Sequence, residues 1–230
     1  MITLLTFPSG FEQFSVSSFC VKAALLLNHS GLEWQRCDMK DPRKMPFGKL
    51  PAIEVGDRII ADTAGIQSYL EERRIDFQIG LTQKERAQTR SLVALAEDNF
   101  YFHMMLDRWG NDDVWPIIRE EYFDEVPRLI RKIVTNKIRK DLLHGMTAQG
   151  LARFSIDQRA ERVAPDLAAI ATLLKNTPYL FGDKPTLADF AMGPVLAGIA
   201  TTPSDTPLRQ LVTDNEVLQA YANRVCDPLL

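Results

Sequence analysis

The chain has 230 residues, 46% of them hydrophobic and 25% charged. This composition excludes a disordered chain and suits one large domain or two small ones. Lys and Arg total 27 against 30 Asp and Glu, a net charge of -3, which excludes the cationic excess that nonspecific nucleic-acid binding requires. The three cysteines, Cys20, Cys37 and Cys226, are too few and too far apart for a disulfide framework. With His29, His103 and His144 they show no metal-ligand spacing.

The segment Met1 to Phe7 lacks the basic region of a signal peptide, and the apolar stretch from Pro185 to Ala200 carries Asp189 and is too short to span a bilayer. The expectation is a cytoplasmic protein with no transmembrane segment. Ile2 to Phe7 reads as a strand ended by Pro8-Ser9-Gly10. Ser17 to Ser30 has helical spacing and Gly31 to stop it. Glu33 to Asp38 is a second strand candidate. Ala52–Val55 and Arg58–Ala61 flank Gly56-Asp57, a hairpin signal. Asp62 to Arg73 reads as a helix with Asp62 as N-cap. The order β-α-β then β-β-α predicts a small mixed sheet with helices.

Beyond Thr82 the strand signals vanish. Gln83 to Trp109, Ser155 to Lys175, Thr186 to Ala200 and Thr213 to Arg224 read as helices. Arg128 to Lys140 holds six basic residues and no acidic one, interleaved with aliphatics, either a solvated basic face or one for an anionic membrane or acidic ligand. The chain therefore divides into an α/β domain, residues 1–78, and an all-α domain, residues 82–230.

Three sites carry candidate chemistry. Ser17-Ser18-Phe19-Cys20 opens a helix, whose free N–H groups and partial positive charge stabilise an anion. It has the spacing of a Cys-x-x-Cys pair with serine first, which removes the dithiol route. Lys49-Leu50-Pro51 precedes the hairpin; with a cis Leu50–Pro51 bond, the Leu50 backbone faces outward and can pair with an extended peptide. Asp62-Thr63 opens the next helix, where the Asp62 carboxylate suits an ammonium and the Thr63 hydroxyl with its free N–H groups a carboxylate. Each alone has a plain structural reading as cap, core residue or turn proline. Together they suit a small γ-linked peptide bearing a thiol.

With these motifs the first eighty residues resemble the thioredoxin-like N-terminal domain of the cytosolic glutathione S-transferases. Ser17 to Lys22 is similar to the Ser-Pro-Phe-x-x-Arg/Lys signature of the serine-type classes, Lys49-Leu50-Pro51 to the cis-proline segment, and Asp62-Thr63 to the Glu/Asp-Ser motif. Leu180 to Phe190 resembles the family's capping-box segment, with Thr186 and Asp189 as a reciprocal cap. Phe7 to Phe11, the long loop to Ser17, and the stretches around Trp109–Pro116 and His144–Gly150 resemble the metaxin and failed-axon-connections branch. Ser18 stands where proline is usual, and Asp62-Thr63 replaces Glu-Ser.

The resemblance implies a thioredoxin-like domain followed by an all-helical one. It also implies glutathione as co-substrate, a small apolar electrophile as acceptor, and a homodimer. Ser17 would hold the glutathione thiolate, with Ser15 or Ser18 near enough to replace it. Lys49, Leu50, Pro51, Asp62 and Thr63 would bind the peptide, and part of the aromatic cluster from Phe100 to Trp109 would line an acceptor pocket. The alternative is a glutathione- or ligand-binding protein without turnover, acting through protein or membrane contacts. Reduction through Cys20 is a third reading, weakened by the missing first cysteine.

Overall fold

The computed structural model describes residues 1–229. β1 (Ile2–Thr6) leads through the loop at 8–16 into α1 (Ser18–Ser30). β2 (Trp34–Asp38), β3 (Ala52–Val55), β4 (Arg58–Ala61) and α2 (Thr63–Glu71) complete the first half. The sheet order is β2-β1-β3-β4. β1 runs parallel to β2, with Ile2 opposite Trp34, and antiparallel to β3, with Leu4 opposite Ile53. β3 and β4 pair across the Gly56-Asp57 turn, where Gly56 takes φ 57, the left-handed conformation such turns require. The mixed sheet and its strand bounds follow the sequence reading, and the architecture is a thioredoxin-like sheet domain joined to a helical one.

The second half holds α3 (Gln83–Ala94), α4 (Tyr101–Trp109), α5 (Trp115–Tyr122), α6 (Arg128–Gln149) and α7 (Ile156–Leu173). It continues with α8 (Leu187–Ala200), α9 (Pro207–Thr213) and α10 (Glu216–Cys226). α8 is buried from Leu187 to Ile199. An apolar helix without a polar face belongs inside a core, and here it packs against α1, α3, α9 and α10. This is the apolar stretch that the sequence shows after Pro185. No helix among the described residues is long and apolar enough to cross a membrane.

Two helices depart from the sequence reading. The stretch Gln83 to Trp109 is broken by a π-helical turn over Leu95–Phe100, a wider turn that periodicity does not announce. Glu97 lies in it and reaches the Nζ of the buried Lys22 at 2.5 Å, an ion pair joining the two halves. The helix expected from Thr213 starts at Glu216, because the Asn215 side chain caps it by accepting from the Leu218 N–H at 3.2 Å. Pro207–Thr213 is a separate helix, capped by Thr206.

The reciprocal cap of α8 is present and extends further. The buried Asp189 carboxylate accepts from the Thr186 N–H at 2.7 Å, the Thr186 hydroxyl at 2.8 Å, the Leu180 N–H at 2.9 Å and the Tyr221 hydroxyl at 2.9 Å. Asp189→Ala strands four donors in the core and should cost about 3 kcal/mol or more in chemical denaturation; a loss below about 1 kcal/mol would contradict this assignment.

His103 is buried on α4 with its Nδ1 unpartnered among the described residues. Burial, helped by Arg159 and Arg162, lowers its pKa from 6.5 to about 4. The unfolded chain takes up this proton near 6.5 and the folded chain only near 4, so stability is lost as pH falls through that window. Between pH 7 and pH 5 the wild type should lose about 1–2 kcal/mol more than His103→Phe in urea titrations. Equal losses would show that His103 does not titrate in this way.

Candidate functional site at the start of α1

Ser17 is the N-cap of α1, with extended backbone (φ -109, ψ 119), and its Oγ accepts from the Cys20 N–H at 3.4 Å. The three neighbouring serines differ in what their protons do. Ser15 is buried and donates to the Phe7 carbonyl at 2.8 Å. Ser18 is buried and donates to the Pro194 carbonyl on α8 at 3.0 Å. Ser17 is half-buried, and its hydroxyl donates to no oxygen or nitrogen among the described residues, with only the Cys20 thiol in reach. Of the three, Ser17 alone combines solvent access with a proton not committed to a backbone carbonyl.

Cys20, one turn in, is fully buried against Leu5, Leu50 and Ala52. Burial pushes its thiol up, outweighing hydrogen bonding with Thr6, Phe7, Ser17 and Ser15. A buried thiol with a raised pKa is a poor nucleophile. Its packing also sets the start of α1 beside the end of β1 and the Leu50–Pro51 segment.

The Leu50–Pro51 bond is cis. The Pro51 carbonyl accepts from the Asp62 N–H at 3.1 Å, which joins the proline segment to the start of α2. Asp62 has φ 69 and ψ 149, a conformation that costs a non-glycine residue roughly 1–3 kcal/mol and clusters at functional sites. Its carboxylate helps hold it there by capping the Ala64 N–H at 2.9 Å, and the side chain is otherwise exposed. Thr63 follows, only 2% exposed, with no side-chain hydrogen bond among the described residues. Lys49 is exposed and forms no ion pair among the described residues; it joins the group as the residue before Leu50.

Sequence reasoning missed the residues that fix the loop at 8–16. Gly10 and Gln13 exchange backbone hydrogen bonds at 3.3 and 3.0 Å, and Phe11 and Glu12 take positive φ between them. A Cβ on Gly10 would meet Val16 Cγ1 at 2.6 Å, so the tight fold of the loop requires glycine there. The Phe11 ring lies tilted against Tyr122 with centroids 5.9 Å apart, next to Trp109 and Trp115. Arg108 donates to the Tyr122 hydroxyl at 3.1 Å, and that hydroxyl donates to the Val16 carbonyl at 3.3 Å. The buried Arg108 also donates to the Gly198 carbonyl and the Thr202 hydroxyl. The loop is thus strapped to α4 and α5 immediately before Ser17. The contacts span about a hundred residues, and only the aromatic cluster gave any sequence signal.

That cluster divides by helical face. Phe100 and Met104 enter the core, whereas Tyr101, Phe102 and Met105 are partly exposed. The Tyr101 ring meets Phe19 edge-on at 4.7 Å. Burial pushes the Tyr101 hydroxyl up, with smaller contributions from Tyr122 and Cys20. An apolar surface therefore lies beside the start of α1.

Family models describing a glutathione S-transferase N-terminal domain and C-terminal domain match residues 18–115 and 163–225. The chain belongs to the glutathione S-transferase family. It is similar to the isoprene-epoxide–glutathione S-transferase of Rhodococcus sp. (strain AD45), 25% identical over 217 residues, with 88% of each chain covered. Human metaxin-2 is 22% identical over 182 residues, covering 78% of this chain and 69% of metaxin-2. Failed axon connections of Drosophila melanogaster is 24% identical over 212 residues, covering 87% of this chain and 51% of that protein. Among solved structures, a glutathione S-transferase from the Antarctic clam Laternula elliptica superposes with a TM-score of 0.63 at 16% identity, covering 99% and 89%.

In this glutathione S-transferase-family protein the Tyr122 hydroxyl is the strap on the loop. Tyr122→Phe should leave the fold intact, cost about 1 kcal/mol, and raise amide hydrogen exchange across residues 8–16 by roughly tenfold. Unchanged exchange in that segment would show that the loop is held by other contacts.

Proposed function

We propose that this chain binds glutathione and transfers its thiolate to small electrophiles, with Ser17 as the residue that holds the thiolate. The observation carrying this reading is the Ser17 hydroxyl, bound to no carbonyl, at an accessible helix N-terminus beside a buried Cys20. Asp62 would take the γ-glutamyl ammonium, and Thr63 with the first N–H groups of α2 the neighbouring carboxylate. The Leu50 backbone would pair with the cysteinyl unit and Lys49 would face the glycine carboxylate. On this reading residues 1–78 supply the thiol site, and Tyr101, Phe102 and Met105 from residues 82–230 line the acceptor side. A cytoplasmic homodimer completes the proposal.

The energetics are adequate. Lowering a thiol pKa by ~2 units requires about 2.7 kcal/mol. A hydrogen bond to a charged group supplies ~1.5–3 kcal/mol, and a helix N-terminus adds ~0.3–1 kcal/mol. The relative named for isoprene epoxide supports an epoxide as the first acceptor class to try. The thiolate would attack a ring carbon as the C–O bond breaks, the oxygen would leave with the bonding pair, and water would return the proton.

The strapped loop at 8–16 favours a second reading, glutathione or ligand binding without turnover, because a loop fixed beside Ser17 restricts the approach of an acceptor. Turnover against a panel of epoxides and other electrophiles separates the two. Under the leading reading Ser17→Ala lowers kcat/KM by about 10- to 1,000-fold, the scale for one lost donor to developing charge. Cys20→Ala keeps turnover and costs about 1 kcal/mol of stability. Thr63→Ala weakens glutathione binding about 10- to 100-fold in calorimetry. Turnover that survives Ser17→Ala but not Cys20→Ala would replace the serine mechanism with a cysteine one. Tight glutathione binding with no turnover of any acceptor would establish the second reading.

A further inference from the structure

The helix α6 has two opposed stripes. At 100° per residue, Arg131, Thr135, Arg139, Leu142 and Met146 share one face, and these residues are buried or half-buried. Their cations are committed. Arg131 binds Glu120 at 2.5 Å, and Arg139 binds Asp112 at 2.7 Å and the Trp109 carbonyl at 2.6 Å. Asp124, before the helix, is taken by Lys40 at 2.7 Å. Offset by two residues, Leu129, Ile133, Lys137, Lys140 and His144 form the opposite stripe, and all are exposed. Leu129 is 95% exposed and Ile133 73%. Ile130, Val134 and Ile138 widen the apolar part and are exposed too. Arg128, Lys132, Lys137 and Lys140 make no ion pair or side-chain hydrogen bond among the described residues. No acidic residue falls between Arg128 and Lys140, and the exposed Asp141 is the one carboxylate that α6 carries, although the chain as a whole is acidic.

Exposed aliphatics at this density are not the scattered surface residues of an ordinary monomer. We infer that α6 is an interfacial helix that docks on an anionic lipid surface. The charge of the face is complementary to acidic headgroups, and its free lysines can reach them while their stems lie along the aliphatic side chains. Leu129 and Ile133 sit at the N-terminal end and Lys137 and Lys140 nearer the middle, so the helix inserts with its N-terminal end deepest. The stripe carries no aromatic residue, the anchor that protein interfaces concentrate. A second copy placed face to face would set lysine against lysine. This surface is separate from the start of α1, so its function does not depend on thiol chemistry.

The test is flotation of the full chain with vesicles of phosphatidylcholine, with and without phosphatidylserine. Wild type should bind phosphatidylserine-containing vesicles at least tenfold better than pure phosphatidylcholine, and added salt should release it. Lys137→Glu with Lys140→Glu, and separately Leu129→Ser with Ile133→Ser, should each lower that binding at least tenfold without lowering the melting temperature. Lys175→Glu with Lys184→Glu, exposed on another part of the surface, should bind as wild type. Equal association with both vesicle types, or α6 variants that bind as wild type, would overturn the inference. Absence of vesicle binding, together with a salt-sensitive dimer lost in the same variants, would overturn it in favour of a protein occupant.

Discussion

The structure depends on the burial of α1. From Ser18 to Leu27 only Phe19 keeps partial exposure, because the helix is held between the sheet on one side and α8 on the other. Val21, Ala23, Ala24 and Leu25 to Leu27, spread around the helix, all belong to the main apolar core, and even Lys22 is enclosed with its ammonium on Glu97. A helix so confined has no freedom to shift its register. Its first turn is therefore fixed relative to β1 and the Leu50–Pro51 segment, and its free N–H groups point where a ligand can meet them. The position of Ser17 is a consequence of packing one to three turns further along the helix.

The close approach of α8 makes this confinement possible. A Cβ on Gly198 would meet Met104 Sδ at 2.5 Å and Ser18 Oγ at 3.1 Å, so glycine lets α1, α4 and α8 converge at one point. Ser18 reaches the Pro194 carbonyl there, and Arg108 reaches the Gly198 carbonyl. Arg108 continues through Tyr122 to the loop that precedes Ser17. The candidate site thus draws on both halves of the molecule. The sheet half supplies the groups suited to a thiol peptide, and the helical half fixes the loop beside them and contributes Tyr101 and its neighbours.

Much of this was legible in the sequence where a local rule operates. Alternation and the Gly56-Asp57 turn located β3 and β4, Gly31 located the end of α1, and the Thr186–Asp189 pair located the start of α8. The burial of Cys20 followed from its place one turn inside an apolar helix. What was illegible depends on distant contacts. The π-helical turn at Leu95–Phe100 brings Glu97 to Lys22, and no period of three or four residues encodes it. The separate helix α9 is too short for periodicity to reveal. The commitment of Ser15 and Ser18, which leaves Ser17 as the one hydroxyl of the three not given to a carbonyl, rests on carbonyls of Phe7 and Pro194. The strap through Arg108 and Tyr122 joins residues about a hundred positions from the loop they hold. The opposed stripes of α6 were half visible, since the basic and aliphatic residues could be counted but the pairing of Arg131 and Arg139 could not.

The central claim is that the start of α1 stabilises a thiolate. The most direct measurement is the ultraviolet absorbance of the thiolate of glutathione bound to the wild-type chain, titrated against pH. The account predicts an apparent thiol pKa about 2 units below that of free glutathione, as a donor hydrogen bond and a helix N-terminus acting together allow. A bound thiol that titrates with the free one would contradict it.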